Sequence, residues 1–321
     1  MAIDAGAGLS NAERSVETRA GRRYDGPIVD AHHHVWLRER VPWLNGPMQP
    51  RIFGHYEAIR RDYTIGEFRV DSAPSGVVAS VYVQVNVAPG EEVGEVEWVE
   101  SLSRAGGHPS AIVAFADLAR PDLDDLLDRH LAAGRVRGIR QQLHWHENPL
   151  YRFAARPDIM NDPAWRRGLA RVAARGLLFE LQVFESQFAD CVALARAVPE
   201  ATLVLMHAGM PEDLSDEGFA RWRDGMQRLA AEPNVHVKLS GLGTFVHRLD
   251  PVLIESVSAA TIDAFGPERC LFGSNFPIEK LWTGYAELVD AWRDALSGLD
   301  AAAQHAIFHD NAVRLYRLTQ S

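Results

Sequence analysis

From Ile28 to the C-terminus the chain repeats one alternation: a short, β-branched apolar run, then a stretch with helical spacing. The apolar runs open at Ile28 (IVDAHHHVW), Val77 (VVASVYVQV), Ala111 (AIVAFADL), Val136 (VRGIRQQL), Leu177 (LLFELQVF), Ala201 (ATLVLMH), Asn234 (NVHVKLS) and Arg269 (RCLFGSN). Helical patterns lie between them, among them 122–133, 163–175, 187–197, 218–232, 251–265 and 285–296, several opened by Asp or Pro and closed near a Gly. Strands that read as nearly unbroken apolar runs are covered on both faces, which means parallel pairing with helical crossovers. Eight such cycles in one chain predict an α/β fold, a single-domain (β/α)₈ (TIM) barrel over residues 26–318. Two segments break the rhythm: 37–76, rich in aromatics and arginines, and 144–162 (within it HWHENPLYRFAARPD). Long βα loops in such a barrel gather at its C-terminal face, where substrates bind. Residues 1–25 are polar and small, lack an apolar core segment, and read as a flexible arm rather than a secretory signal.

Composition narrows the partners. A formal net charge of −10 argues against nucleic acid, whose phosphates need a basic surface, yet leaves room for a small anion held by a few buried cations. No apolar run approaches the roughly 20 residues that span a bilayer, so no membrane partner is expected. The two cysteines, Cys191 and Cys270, lie far apart outside any Cys-x-x-Cys motif. They suit a reducing compartment, with the cytoplasm as the default location, and read as small buried hydrophobes. Homo-oligomerisation is left open.

The polar residues inside the apolar runs carry the chemistry. Side chains alternate along a strand, so in Asp30-Ala31-His32-His33-His34 the first and third histidines share a face and His33 points away. If that face is the barrel interior, two imidazoles project together, as a divalent metal or a proton-transferring pair requires. On the fourth run Arg140 and Gln142 share a face that His144 extends; on the fifth Glu180 and Gln182 do. Gln84 ends the second run, His207 the sixth, and Lys238 shares its parity with His236 and Ser240 on the seventh. A cation at a barrel mouth is costly unless paired, and a substrate carboxylate would pair it.

DAHHHVW resembles the His-x-His motif of the amidohydrolase superfamily, in particular its lactonase-like branch (amidohydrolase family 2), which hydrolyses sugar lactones, 2-pyrone-4,6-dicarboxylate and muconolactone derivatives. The resemblance continues through VYVQVN, GIRQQLHW, LVLMHAGMP, VHVKLSGL, LFGSNFP and FHDNAVRLYRL, and so covers Ile28 to Leu318. It implies that His32 and His34 are the first-strand pair, and that His207 is the histidine that contacts the reacting group. Asn275 stands where the family usually has an aspartate acting as general base. An amide has no basic site near neutral pH, so Asn275 is left to orient water or polarise a carbonyl. Metal-bearing relatives often supply a histidine on strand five or a lysine through strand four; this chain offers Glu180 and Gln182. Glu180 either replaces the base, serves as an oxygen ligand, or pairs with Arg140 or Lys238.

Catalytic zinc usually takes three protein ligands, so no tightly bound cofactor is expected; any cofactor would be one divalent metal such as zinc on His32 and His34. The function implied is hydrolysis of a small, anionic, carboxylate-bearing lactone. Arg140 and Lys238 hold the carboxylate, Gln84, Gln142, His144 and Gln182 make further contacts, and His207 or Glu180 moves the proton. Two other classes stay open: a decarboxylase or isomerase on the same scaffold, and a barrel that binds a ligand without turning it over.

Overall fold

The computed structural model describes residues 22–319. Eight strands follow in chain order: β1 (Ile28–His33), β2 (Val77–Val83), β3 (Ala111–Phe115), β4 (Val136–Gln142), β5 (Leu178–Gln182), β6 (Leu203–Leu205), β7 (Val235–Leu239) and β8 (Cys270–Phe272). Each pairs in parallel with the next in an eight-stranded sheet ordered as in the sequence. This is the single-domain (β/α)₈ barrel that the alternation predicts. Helices Leu123–Ala132, Pro163–Ala174, Phe188–Ala197, Asp216–Ala230, Pro251–Phe265 and Tyr285–Ala295 fall within a few residues of expectation. A further crossover helix, Glu92–Gly106, was not singled out in the sequence. β6 begins two residues later than read, because Ala201 and Thr202 precede the ladder.

The strands bury both faces. Val29, Ala31, Val81, Val83, Val113, Val204 and Leu271 form the inner cluster, which Ala312 and Tyr316 of the C-terminal segment join. Ile112, Ile139, Phe179, Leu203, Val237 and Phe272 belong to the outer layer beneath the helices.

The ring closes without a β8–β1 ladder. Asn275 N–H donates to His32 O at 2.7 Å and His34 N–H to Phe276 O at 2.7 Å. Beneath them Asp30, fully buried, accepts from Ser274 N (2.9 Å), Ser274 Oγ (2.6 Å), Tyr285 Oη (2.9 Å) and His32 N (3.0 Å). Burial still holds this carboxyl above its ordinary pKa, with the four bonds opposing. Gly273 admits the close approach: a Cβ there would stand 2.7 Å from His32 Cβ.

The arm expected over residues 1–25 lies mostly outside the described residues. Of its last four, Tyr24 is packed, stacked on Phe308 with ring centroids 4.9 Å apart. No helix among the described residues is long and apolar enough to cross a membrane.

Candidate active site

The first strand bulges between Asp30 and His33, where its register against β2 shifts. His33 turns outward and stacks on Phe68 at 3.8 Å between centroids. His32 and His34 approach each other, Nε2 to Nε2, at 3.2 Å. His34 Nδ1 lies 2.6 Å from Val83 O, so that nitrogen carries the proton and Nε2 is left with a lone pair. Burial and the positive charges of Lys238 and Arg140 hold both imidazoles neutral, His34 down to about 3 and His32 well below its ordinary value.

β6 ends in an unusual turn. His207, Ala208, Gly209 and Met210 all have positive φ, at 52°, 50°, 71° and 53°. Only glycine adopts that region without penalty, and such backbone strain concentrates at functional sites. The turn swings His207 against His32, 4.8 Å between ring centroids, with its Nδ1 2.8 Å from Ser240 Oγ. Gly241 (φ +66°) is required beside it, because any Cβ would collide with the His207 ring. Asn275 also sits at positive φ (55°), a conformation that Asn tolerates better than most residues.

These residues border one cleft of about 1040 Å³, its open mouth included, at the C-terminal ends of the strands. Of the residues expected in the site, His34, Gln84, Arg140, Gln142, His144, Gln182, His207 and Asn275 line it, and His32 lies directly beneath His34. Glu180 and Lys238 do not. Lys238 Nζ donates to Glu180 Oε1 at 2.6 Å, both side chains fully buried, and Tyr316 Oη donates to the same oxygen at 2.6 Å. This placement departs from the expectation that Lys238 holds a carboxylate and Glu180 moves a proton, and is instead the Glu180–Lys238 pairing that the sequence left open: the two charges answer each other away from the cleft.

Arg140 is 4% exposed. Its guanidinium donates to Gln84 O and, at 3.4 Å, to Gln182 Oε1, while Nε has no partner among the described residues. Burial lowers its pKa to about 10, so it stays charged at neutral pH. Gln142 Oε1 is taken by Asn86 Nδ2 at 2.7 Å, whereas Gln84 Nε2 is unpartnered. His144 stacks on Phe153 and is held neutral by burial, at about 3.

Reading the sequence for titratable groups missed the walls. The two long loops supply Trp43, Arg51 and Phe53 from 37–76 and Tyr151, Arg152 and Phe153 from 144–162. It also missed Asn86, although its spacing two residues beyond Gln84 was a usable signal. No periodicity marks a loop residue, so only the unusual length of both loops pointed to them.

A model of the amidohydrolase family matches residues 29–318. The chain belongs to the amidohydrolase family. Among curated relatives, an uncharacterised protein of Sinorhizobium fredii is 36% identical over 92% of this chain and 99% of its own length. A protein of Burkholderia multivorans named L-fucono-1,5-lactonase is 31% identical over 91% of this chain and 96% of its own. A crystallised amidohydrolase, also from Burkholderia multivorans, is 30% identical with a TM-score of 0.76, covering 92% of this chain and all of that one; it was solved with bound HEPES and with bound zinc. Family membership agrees with the resemblance read from the motifs and makes this chain a hydrolase-type enzyme.

The family therefore raises a divalent metal, and the donor set can be tested against it. Two imidazole nitrogens on one tetrahedral zinc, at about 2.0–2.1 Å each, stand about 3.3 Å apart, close to the His32–His34 separation of 3.2 Å. The Val83 carbonyl behind His34 is the kind of outer support that metal-binding histidines usually have. A third, anionic donor is absent: among the described residues no Asp or Glu lines the cleft. The pair fits a metal, but as two neutral ligands.

Proposed function

We propose that this enzyme hydrolyses a small lactone bearing a carboxylate. The observation that carries the reading is the cleft wall: Arg51, Arg140 and Arg152 line it with no acidic residue among the described ones, in a chain of net charge −10. A cleft of one sign in a protein of the other focuses potential and gathers the oppositely charged ligand. Arg140 can offer a carboxylate a forked, charge-assisted pair of hydrogen bonds at the cleft floor. The lactone carbonyl then faces His34, His207 and Asn275. The lactonase names of the Burkholderia relatives support the same bond class.

In this reading Asn275 positions the attacking water through its amide. The water oxygen adds to the acyl carbon, the ring C–O bond breaks, and the ring oxygen leaves with a proton to give a hydroxy acid. His207, its Nδ1 tied to Ser240, relays that proton through Nε2. His32 and His34 would hold a divalent ion, whose contribution would be Lewis-acid polarisation of the carbonyl. The two buried free cysteines suit a reducing compartment, and the cytoplasm is the proposed location.

The test is turnover of carboxylate-bearing lactones in ¹⁸O-labelled water. One labelled oxygen in the new product carboxylate is expected. Release of CO₂, or isomerisation without label, would replace this reading by the non-hydrolytic one; binding without turnover would make the barrel a receptor.

A further inference from the structure

The C-terminal segment carries a second pair of histidines, which the proposed reaction does not use. His305 precedes the turn Ala306–Asp310, and His309 and Asp310 end it. The turn is a π-helical one, with hydrogen bonds from i to i+5, a form found mostly as single turns and often at functional sites. In an α-helix a residue four places on shares a face with the first, while a residue five places on has turned away. The wider turn keeps both within reach of His305. Asp310 Oδ1 lies 3.2 Å from His305 Nε2 and 2.8 Å from His309 Nδ1. The two imidazoles stack with centroids 5.0 Å apart, and one ligand atom from each of the three residues falls within 4.8 Å of the others. None of the three lines the cleft.

The positions of the protons decide what this cluster lacks. Burial pushes the Tyr24 phenol up to about 12, so it keeps its proton at neutral pH. That proton goes to Pro27 O at 2.7 Å, because a carbonyl can only accept. The 2.8 Å contact between Tyr24 Oη and His305 Nδ1 is then a bond that the imidazole donates. A neutral His305, with its proton on Nδ1, turns the lone pair of Nε2 toward the Asp310 carboxylate. A lone pair and a carboxylate oxygen 3.2 Å apart repel unless a cation joins them. An extra proton would answer that one contact; a metal ion answers all three side chains at once. Tyr24 behind His305 is also the outer support that fixes the tautomer of a metal-bound histidine.

We propose that His305, His309 and Asp310 form a solvent-facing zinc site, separate from the His32–His34 pair and independent of the lactone reading. Two imidazoles and a carboxylate suit zinc, whereas magnesium prefers oxygen ligands throughout. The 2.8 and 3.2 Å separations approach the roughly 3.3 Å between ligands of one tetrahedral zinc. Asp310 is exposed and His305 partly so, which leaves their rotamers free to close the remaining gap, with water completing the shell. Because Tyr24 leads into β1, the ion braces the approach to the first strand against the C-terminal segment. Open to water, the site exchanges its ion and is emptied by dialysis, so it is read by adding zinc back.

The test titrates the dialysed full-length protein with zinc chloride against a chromophoric zinc indicator near neutral pH. One exchangeable equivalent is expected beyond whatever His32 and His34 take up. His305→Ala and His309→Ala each remove that equivalent and leave the rest. Asp310→Asn keeps the shape, loses the charge and weakens the same step. Tyr24→Phe touches no ligand, yet should weaken it by about tenfold through loss of the outer support. Far-UV circular dichroism of each variant separates a lost site from a lost fold. A zinc isotherm unchanged in His305→Ala would overturn the proposal and leave the cluster a proton-bridged ion pair. Equal uptake of magnesium, or an affinity indifferent to Tyr24→Phe, would overturn it as well.

Discussion

Two polar layers lie inside this barrel, one above the other, and they follow opposite rules. In the lower one Lys238 Nζ and Tyr316 Oη converge on Glu180 Oε1, so that the two charges answer each other, fully buried and shut away from the cleft, and only Glu180 Oε2 is left without a partner among the described residues. In the upper one Arg140 has no anion, Gln84 Nε2 and Arg140 Nε have no partner, and neutral histidines face one another. An unanswered buried polar group costs about 1–3 kcal/mol, more when charged. A fold keeps such a group where a ligand is to answer it; where the protein supplies the partner itself, the group serves structure. The presence of a buried charge is thus a poor guide to function, and the state of its partners a better one.

The contrast is broken most violently by acid. Histidines 32, 33, 34, 144 and 207 are all held neutral by burial, the last three at about 3. Their unfolded forms take up protons below about pH 6.5, so their contribution is present above that pH and is lost as pH falls toward their folded values. Glu95 and Glu279, raised by burial to about 7 and about 8, run the other way. They favour the folded state as pH falls from those values to the ordinary carboxyl range near 4.3, and change nothing further below it. Five histidines outweigh two carboxyls, so stability should peak at about pH 6.5–7 and fall steadily as the pH drops below that. The fall steepens below about pH 4.3, where the carboxyls no longer offset it, and in sum is enough to cancel the ~5–15 kcal/mol of a typical domain. Near-UV circular dichroism against pH checks this; a protein native at pH 3 would show that the imidazoles are not neutral.

Next in size is the lower layer. Lys238→Met leaves Glu180 buried without its countercharge and should cost about 3–5 kcal/mol in urea unfolding. Pairing it with Glu180→Leu should restore much of that loss. In the upper layer the corresponding change, Arg140→Met, should leave stability unchanged or improved while raising KM by the equivalent of ~2–5 kcal/mol. An Arg140 variant that unfolds easily with unchanged KM would reverse the assignment of the two layers.

Both layers were partly legible in the sequence. Parity along the strands brought Arg140 and His34 to the inner face, and the sixth motif brought His207 to a strand end. Parity could not say how deep each would lie, because depth depends on the register between strands distant in sequence. Glu180 and Lys238, on strands five and seven, could therefore be grouped with the cleft residues although they meet beneath it. The left-handed turn at His207 was equally hidden, since three of its four residues are not glycine and carry no turn signal.

The smallest effect concerns metal. Two neutral imidazoles without an anionic ligand should retain zinc below one equivalent, with activity that survives chelators. Asn275→Asp adds a charge at the cleft and should raise the metal content after dialysis severalfold, together with a new ionisation in the pH–rate profile. One tightly held zinc per native chain, with activity abolished by chelation, would show that the upper layer answers its own charges after all.

The seam has a consequence for how the molecule is born. The ring is completed by Ser274, Asn275, Phe276 and Tyr285, which reach back more than two hundred residues to Asp30, His32 and His34. On a ribosome the histidine pair emerges more than two hundred residues ahead of its covering. Until then the nascent chain has seven strands, two raw edges and an Asp30 carboxylate left with only the His32 N–H, while the Tyr316 that caps Glu180 is still unmade. The barrel therefore cannot close until residues 270–285 have been made, and a chain ending ahead of them would expose the sheet edges that the finished ring conceals.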